Sequence, residues 1–476
     1  MIALLLQGPS RFDKENNGVL LGPAGDLCRE VFSKLGYDID NPERVFVTYI
    51  DDFYRGKRPP QKLSHIIFAG AKALDYVAEA AGKSLDAYRG VVSFSGDMAS
   101  IVTYWPQDCV DAWNVEEHLY GTEDEESQDA DKDNGKSSSP TKRSNYKFWF
   151  AKDVEKCLTL KKPLAQPKDE TAYPRSTQEA LNVFAYEGPI FLDIETHPKT
   201  NTLLCAAIAV GNSPVYSIPF YDHTGALHMG AVFFGALIRE MRRREVVVHN
   251  ALFDLCFLAA FYKIPFGSSI YCTMAAGHRI YPEAEKSIAH QTTLWTNRPF
   301  HKDEGGSFDP KSQRQYDQLR AYNVKDVIVL REIYYAQQAF IAKDEGLKAS
   351  VRQVSESQVD YAYMTLHGLL YNLSKQQAII RRCEARYAQL ARVLKALVGY
   401  EVNPGSPDQV VKYLHSRMGY QPEKTTESGG ASVAGDALYK IKLKHRENLA
   451  IDVILEMRRM VKLKGMLGFT QWVWSY

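Results

Sequence analysis

Residues 191–198 read FLDIETHP. The apolar residues here, following Gly188-Pro189, predict a strand over Ile190–Ile194. Side chains alternate between the faces of a strand, so Asp193 and Glu195 share a face. Two carboxylates packed together resist desolvation and repel each other unless a cation compensates them. A hard divalent ion such as Mg²⁺, which takes oxygen ligands, meets that need. Alone, the Asp-x-Glu pattern equally describes the solvated end of a surface strand.

Reading outward, strand signals follow at Leu204–Val210 and Val215–Ile218, then a helix at about 231–243 and a strand at Val246–His249. The stretch VVVHNALFDLCFL at 246–258 ends that strand at His249-Asn250 and opens a helix near Asp254. A first-turn acid is favoured by the helix dipole, so Asp254 is either a site residue or an ordinary N-terminal acid. Phe253 and Phe257 read as core; His249 and Asn250 read as a cap and turn pair, not as ligands. In AYNVKDVIVL at 321–330, Tyr322 and Asp326 are four residues apart on a predicted helix and face the same way. That pair also describes a core tyrosine beside a surface acid.

Taken together, the order Asp193, Glu195, Asp254, Tyr322, Asp326, with the aspartates 61 and then 72 residues apart, resembles the DEDD exonucleases. The third motif resembles that of the tyrosine subclass, because Ala321 stands where the other subclass has histidine. KSIAHQTTLWTNRPFHKDEG at 286–305 resembles the stretch before the third motif in the proofreading domain of family A DNA polymerases. The resemblance implies a ribonuclease H-like domain, a mixed sheet flanked by helices. It also implies 3′→5′ phosphodiester hydrolysis with two divalent cations, Mg²⁺ or Mn²⁺. By resemblance, Asp193 bridges both ions, Glu195 and Asp326 hold the one beside the nucleophile, Asp254 anchors the other, and Tyr322 positions the attacking water. The implied substrate is a frayed, single-stranded DNA 3′ end.

Residues 354–470 resemble the thumb of family A polymerases, through SQVDYAYMTLHGLLYN, a long helix expected at Ser374–Leu397, EVNPGSPDQVVKYLHSRMGY and KTTESGGASVAGDALYKI. Asn403, Ser406 and Gln409 match a turn before the next helix, and Ser406 and Asp408 are expected to cap it. Lys424 and Thr425, before Gly429-Gly430, suggest a thumb tip near DNA phosphates. Between 440 and 464 stand eight Lys and Arg, including Arg458, Arg459 and Lys462, against three acids. That is either a duplex-facing helix or a solvated face. The family's palm carboxylates and fingers helix are not found in these residues, so the resemblance implies primer–template as a ligand, and palm and fingers supplied either by a second, palm–fingers polypeptide or by residues beyond this sequence. Ile454, Met457, Leu463, Leu467 and Trp472 are expected to form an open apolar face for that partner, between Ile451 and Tyr476.

At the other end, GPSRFDKENNGVLLGPAGDL at 8–27 and GAKALDYVAEAAGKSLDAYRG at 70–90 resemble the uracil-DNA glycosylases. Gln7, Tyr49 and Trp105 stand where those enzymes carry an acid, an asparagine and a histidine, so a non-catalytic, DNA-binding or docking module is expected. Some phage polymerases of family A carry such a module before the exonuclease domain, and the whole arrangement resembles theirs. Its strands are expected at Ile2–Leu6, Val45–Ile50 and His65–Phe68, and its helices at Ala24–Leu35 and Ala71–Ala81, alternating as in a parallel sheet.

The 476 residues thus read as an α/β multidomain chain: a glycosylase-like α/β module at 1–120, a disordered linker at 121–146, an exonuclease domain at 147–345 and a helical thumb-like region at 346–476. The linker is nearly all polar, charged or glycine and cannot bury enough surface to become ordered. Net charge is +1, which excludes a strongly basic nucleic-acid coat. Seven scattered cysteines without a Cys-x-x-Cys pair exclude a disulfide framework and a structural zinc or iron–sulfur site. The absence of a long apolar run excludes a membrane span, and a cytoplasmic protein is expected, in the host cytoplasm if phage-encoded. Two other readings stay open: a free-standing exoribonuclease of the same nuclease type, and a non-enzymatic subunit gripping primer–template.

Overall fold

The computed structural model describes residues 1–77, 84–110, 146–160, 169–263, 269–299, 301, 309–368, 372–425 and 430–468. The linker expected at 121–146 lies outside them except for Tyr146. The chain forms two compact units, Met1–Leu366 and His367–Tyr476, and its architecture is mixed α/β with two mixed sheets.

The first sheet contains β1 (Ile2–Leu6), β2 (Val45–Tyr49), β3 (His65–Ala69), β4 (Val92–Ser95) and β5 (Met98–Thr103), in the order β2-β1-β3-β5-β4. Neighbours are parallel except β4, which runs antiparallel to β5. Every residue of β1 is buried, as expected of a central parallel strand covered on both faces. On one face Ile2, Leu4 and Leu6 pack against Leu27, Val31 and Phe32 of α1 (Gly22–Lys34). On the other, Ala3 and Leu5 meet Ile50, Phe53 and Phe68. The helix expected at Ala71–Ala81 is a 3₁₀ turn over Ala71–Tyr76, and 78–83 lie outside the described residues.

Helix α2 (Tyr146–Thr159), which follows the boundary expected at 147, packs on the first sheet. Its Trp149, Phe150, Val154, Cys157 and Leu158 belong to the core of the first sheet. An amphipathic helix goes where its apolar stripe is covered, and here β5 and α1 supply the cover. Asp153 on the same helix pairs with the equally buried Arg89 (Nη1–Oδ1 3.2 Å) and accepts from Thr103 Oγ1 at 2.8 Å. Lys156 donates to the carbonyls of Gly90, Thr293 and Thr296. Those bonds tie the first sheet to the segment that carries the second.

The second sheet contains β6 (Thr171–Ala172), β7 (Ile190–Thr196), β8 (Leu203–Val210), β9 (Val215–Pro219), β10 (Glu245–Val248) and β11 (Ser269–Cys272), in the order β11-β10-β7-β8-β9-β6. β8 runs antiparallel to both of its neighbours, β7 and β9, while β7, β10 and β11 are parallel. Ile190, Leu192 and Ile194 of β7 pack under α3 (Ala231–Met241) and α4 (Ala251–Tyr262). After α5 (Thr273–Ile280) and α6 (Ile288–Trp295), the long α7 (Gln313–Ile341) covers the opposite face, where Phe191, Ala207 and Val247 meet Val324, Val327 and Ile328. Alternation carries Asp193 and Glu195 to that same α7 face. Helix α8 (Glu345–His367), expected in the thumb-like region from 346, also packs here: Val351 joins this core, and Ser355 Oγ accepts from Cys272 N at 3.4 Å.

The second unit is helical. Leu390, Leu394 and Val398 of α9 (Leu373–Val398) share a core with Leu438 and Ile441 of α10 (Gly435–Lys444) and Ile451, Ile454 and Met457 of α11 (Leu449–Gly468). This corrects the expected open face: α9 covers Ile454 and Met457, which are 0% and 1% exposed. Leu463 stays 37% exposed, alongside the exposed Val461 and Met466; Trp472 lies outside the described residues. Ser406 occupies the N-cap position of the Pro407–Val411 helix but makes no side-chain cap bond. Gln409 Oε1 instead accepts from Asn403 N at 2.8 Å. All seven cysteines are buried and free. No helix among the described residues is long and apolar enough to cross a membrane.

Candidate active site

Pairing between β7 and β10 stops at Phe191 and Val247. Asn250 then turns the chain into α4 from a left-handed conformation (φ 56°), which asparagine tolerates better than most residues. One turn on, Asp254 is 2% exposed, and its Oδ1 accepts from the backbone N–H of Ile194 at 3.3 Å. A side chain thus satisfies a strand N–H beyond the end of the β10 ladder.

From β7, Asp193 and Glu195 reach the face covered by α7; from α7, Asp326 reaches back. Each offers a carboxylate oxygen within 4.8 Å of the other two. Glu195 and Asp326 are buried and Asp193 is half-buried. Ser312 caps α7 by accepting from Gln315 N, and the helix period then brings Tyr322, Asn323 and Asp326 to its buried side. Asn323 Nδ2 donates to Asp193 Oδ2 at 2.5 Å, while its own Oδ1 is buried without a partner. His301 Nε2 lies 2.8 Å from Asp326 Oδ1, and its ring centroid lies 5.7 Å from that of Tyr322.

Burial pushes the Asp193 carboxyl well above its usual range, and the charges of Asp326, Asp254 and Glu195 push it further, against the Asn323 hydrogen bond. Asp254 is raised for the same first reason, with Asp326 adding to it and the Ile194 N–H opposing. Burial, then Asp326, Glu195 and Asp193, raise the Tyr322 hydroxyl, which keeps its proton. A cluster with this much self-repulsion fits a cation. Carboxylate oxygens alone in the donor set, with a buried amide oxygen left over nearby, suit a hard divalent ion.

Asp193, Glu195 and Asp326 therefore meet as one donor group. Asp254 sits beside them, engaged with Ile194, and Tyr322 lies on the same helix face as Asp326. Asn323 and His301 were not singled out in the sequence. The signal for Asn323 was available: it adjoins Tyr322 and precedes Asp326 by three residues, within one turn. His301 stands 25 residues from Asp326, inside the stretch 286–305 that resembles the segment before the third motif, and that resemblance was its available signal.

No protein-family model matches the chain, and no curated protein does. Among solved structures, it is similar to the POL domain of Pol1 from M. smegmatis in complex with DNA primer-template and dNTP. The two are 15% identical with a TM-score of 0.47, over 63% of this chain and 49% of that one. The chain thus spans about half the length of that structure. At this level of likeness neither an activity nor a site transfers.

Several cationic residues of the second unit are engaged within it. Arg458 donates to the carbonyls of Pro404 (2.7 Å) and Val433 (2.6 Å) and is half-buried, so it braces loops and is not presented to a ligand. Lys424 pairs with Asp436 at 3.0 Å, and the exposed Thr425 bridges Ala431. Lys442 pairs with Asp452, Lys444 with Glu423 and Lys464 with Glu384. Arg459 and Lys462 are exposed. The basic excess read along 440–464 shrinks accordingly, because acids distant in sequence fold against it. In the first sheet, Gln7, Tyr49 and Trp105 all sit at the carboxyl ends of parallel strands, after β1, at the end of β2 and after β5. Tyr49 donates to the Gly18 carbonyl at 3.2 Å.

Proposed function

We propose that this chain is a metal-dependent 3′→5′ exonuclease that shortens DNA from its 3′ end, as the proofreading part of a family A DNA polymerase in DNA replication. The observation that carries this is the meeting of Asp193, Glu195 and Asp326 within 4.8 Å, on elements separated by more than a hundred residues, with Tyr322 on the same helix face. The mixed sheet flanked by helices, with the carboxylates on its central strand, supports the resemblance to the exonuclease family.

Asp193, Glu195 and Asp326 would hold the divalent ions, with Asp254 contributing from α4. Bound there, Mg²⁺ or Mn²⁺ supplies charge neutralisation for the phosphodiester and activates the attacking water. Asn323 holds the Asp193 carboxylate in place through its amide. The Tyr322 hydroxyl, protonated at neutral pH, orients water by hydrogen bonding and does not act as a base. Burial of the cluster excludes bulk water, which strengthens each of these interactions.

The first sheet's module is proposed as a non-catalytic docking or DNA-binding surface. The second unit is proposed to grip primer–template, with Arg459 and Lys462 as its exposed cations, and to bind a palm–fingers polypeptide through the exposed Val461, Leu463 and Met466. The decisive assay follows a 5′-labelled single strand of DNA, and the matching RNA, with Mg²⁺, Mn²⁺ or EDTA. Stepwise shortening of DNA from the 3′ end with either ion, abolished by EDTA, is expected. Preference for RNA would replace this reading with an exoribonuclease, and binding without hydrolysis would replace it with a structural subunit.

A further inference from the structure

One buried group outside the five motif residues touches the carboxylate cluster. His301 is 4% exposed, comes from the segment between α6 and α7, and places Nε2 2.8 Å from Asp326 Oδ1. Its ring also lies against Tyr322. A half-buried surface histidine would gain little from such a pair. Here both side chains are almost fully enclosed, at 6% and 7%, so neither solvent nor rotation offers an equivalent partner.

Asp326 sits at the centre of a conflict. Without a cation, Asp193 and Glu195 repel it; with one, it must present an oxygen in a fixed direction. An N–H donor on Oδ1 answers both demands. It holds the carboxylate within the cluster and fixes the direction in which it faces. Ligating carboxylates are commonly held in this way by a second layer of hydrogen bonds, and loss of such a partner weakens metal binding. Asn323 does the same for Asp193 from inside α7. His301 does it from outside α7.

We propose that His301 is a positioning residue of the divalent-cation site, acting by donating its Nε2–H to Asp326 Oδ1 and not as a metal ligand. This rests on the metal-site reading above. Both the neutral ring with its proton on Nε2 and the imidazolium can make this bond.

The test is Mn²⁺ binding to the full chain, followed by the free-Mn²⁺ resonance signal, with melting in EDTA as a check on the fold of each variant. His301→Ala should weaken Mn²⁺ binding about 10- to 100-fold. His301→Gln, whose amide reaches the same position as Nε2, should restore most of it. Where the alanine variant melts early, His301→Leu, which keeps the volume without a donor, repeats the comparison. Unchanged affinity in the Ala or Leu variant overturns the proposal, since His301 would then be packing alone. Equal loss in the Ala and Gln variants also overturns it, since the ring nitrogen itself would be needed. Absence of binding by the unaltered chain, or unchanged binding in Asp193→Ala, sinks the metal-site reading itself.

Discussion

At the scale of single residues, self-repulsion is what the site has most of. Asp193 is pushed upward by burial and by three neighbouring acids, so it costs the fold stability until a cation arrives. Replacing it with asparagine removes the repulsion and the ligand together. Asp193→Asn should raise the unfolding midpoint in EDTA while abolishing both hydrolysis and the Mg²⁺-dependent rise in stability. In the unaltered chain that rise should be about 2.7 kcal/mol at a hundredfold excess over Kd. Thermal melts with and without Mg²⁺ check this, and a persistent Mg²⁺ effect in the variant would remove Asp193 from the site. Tyr322 has a different task. Tyr322→Phe should keep the Mg²⁺ effect and lower the single-turnover rate by about a hundredfold, the scale of losing water alignment. An unchanged rate would leave Tyr322 as core.

At the scale of elements, most strands and long helices were legible. The run at 190–194 became β7, the helix at 374–397 became α9 within a residue at each end, and the turn at Gly36 ended α1 close to where expected. The β4–β5 hairpin was missed, although SFSGDMAS places Gly96-Asp97 between its strands, and Gly96 adopts φ 62° as a tight hairpin turn needs. No local signal placed helix α2 in the first core. That assignment yields a prediction about where the module ends. A fragment of residues 1–120 lacks Trp149, Phe150, Val154, Cys157 and Leu158. At about 1.5–3 kcal/mol for each large apolar side chain, their absence costs as much as the whole margin of a typical domain. The fragment should show no cooperative melt by circular dichroism, and a cooperative melt would mean that α2 is dispensable.

At the scale of the whole molecule, the three parts make separate claims. The module of the first sheet should leave uracil-containing DNA intact: with the Asp326→Ala chain, no alkali-sensitive sites should form at uracil. Breaks there would show that Gln7, Tyr49 and Trp105 do not mark a lost activity. For the second unit, Ile451, Ile454 and Met457 lie in its core, so truncation there tests folding rather than association. Val461→Glu with Met466→Glu is the cleaner change. It should preserve α-helix content and abolish co-purification with a palm–fingers polypeptide. Primer extension by the isolated chain would overturn the need for such a partner.

What the sequence determined by itself was local. Periodicity and turn chemistry act over a few residues, so they marked β7, α4 and α7 and put Asp193 with Glu195, and Tyr322 with Asp326, on shared faces. The order of five residues then tied these faces into one resemblance. Only the tertiary structure decided what lies opposite what. Asp326 reaches Asp193 because α7 packs on Phe191 and Val247, and His301 reaches Asp326 from 25 residues away. Arg458 is turned inward by the carbonyls of Pro404 and Val433, and Lys444 and Lys464 meet acids far off in the chain. Contacts of that kind depend on how apolar faces are buried together, and burial is settled by the whole fold rather than by any one window of sequence.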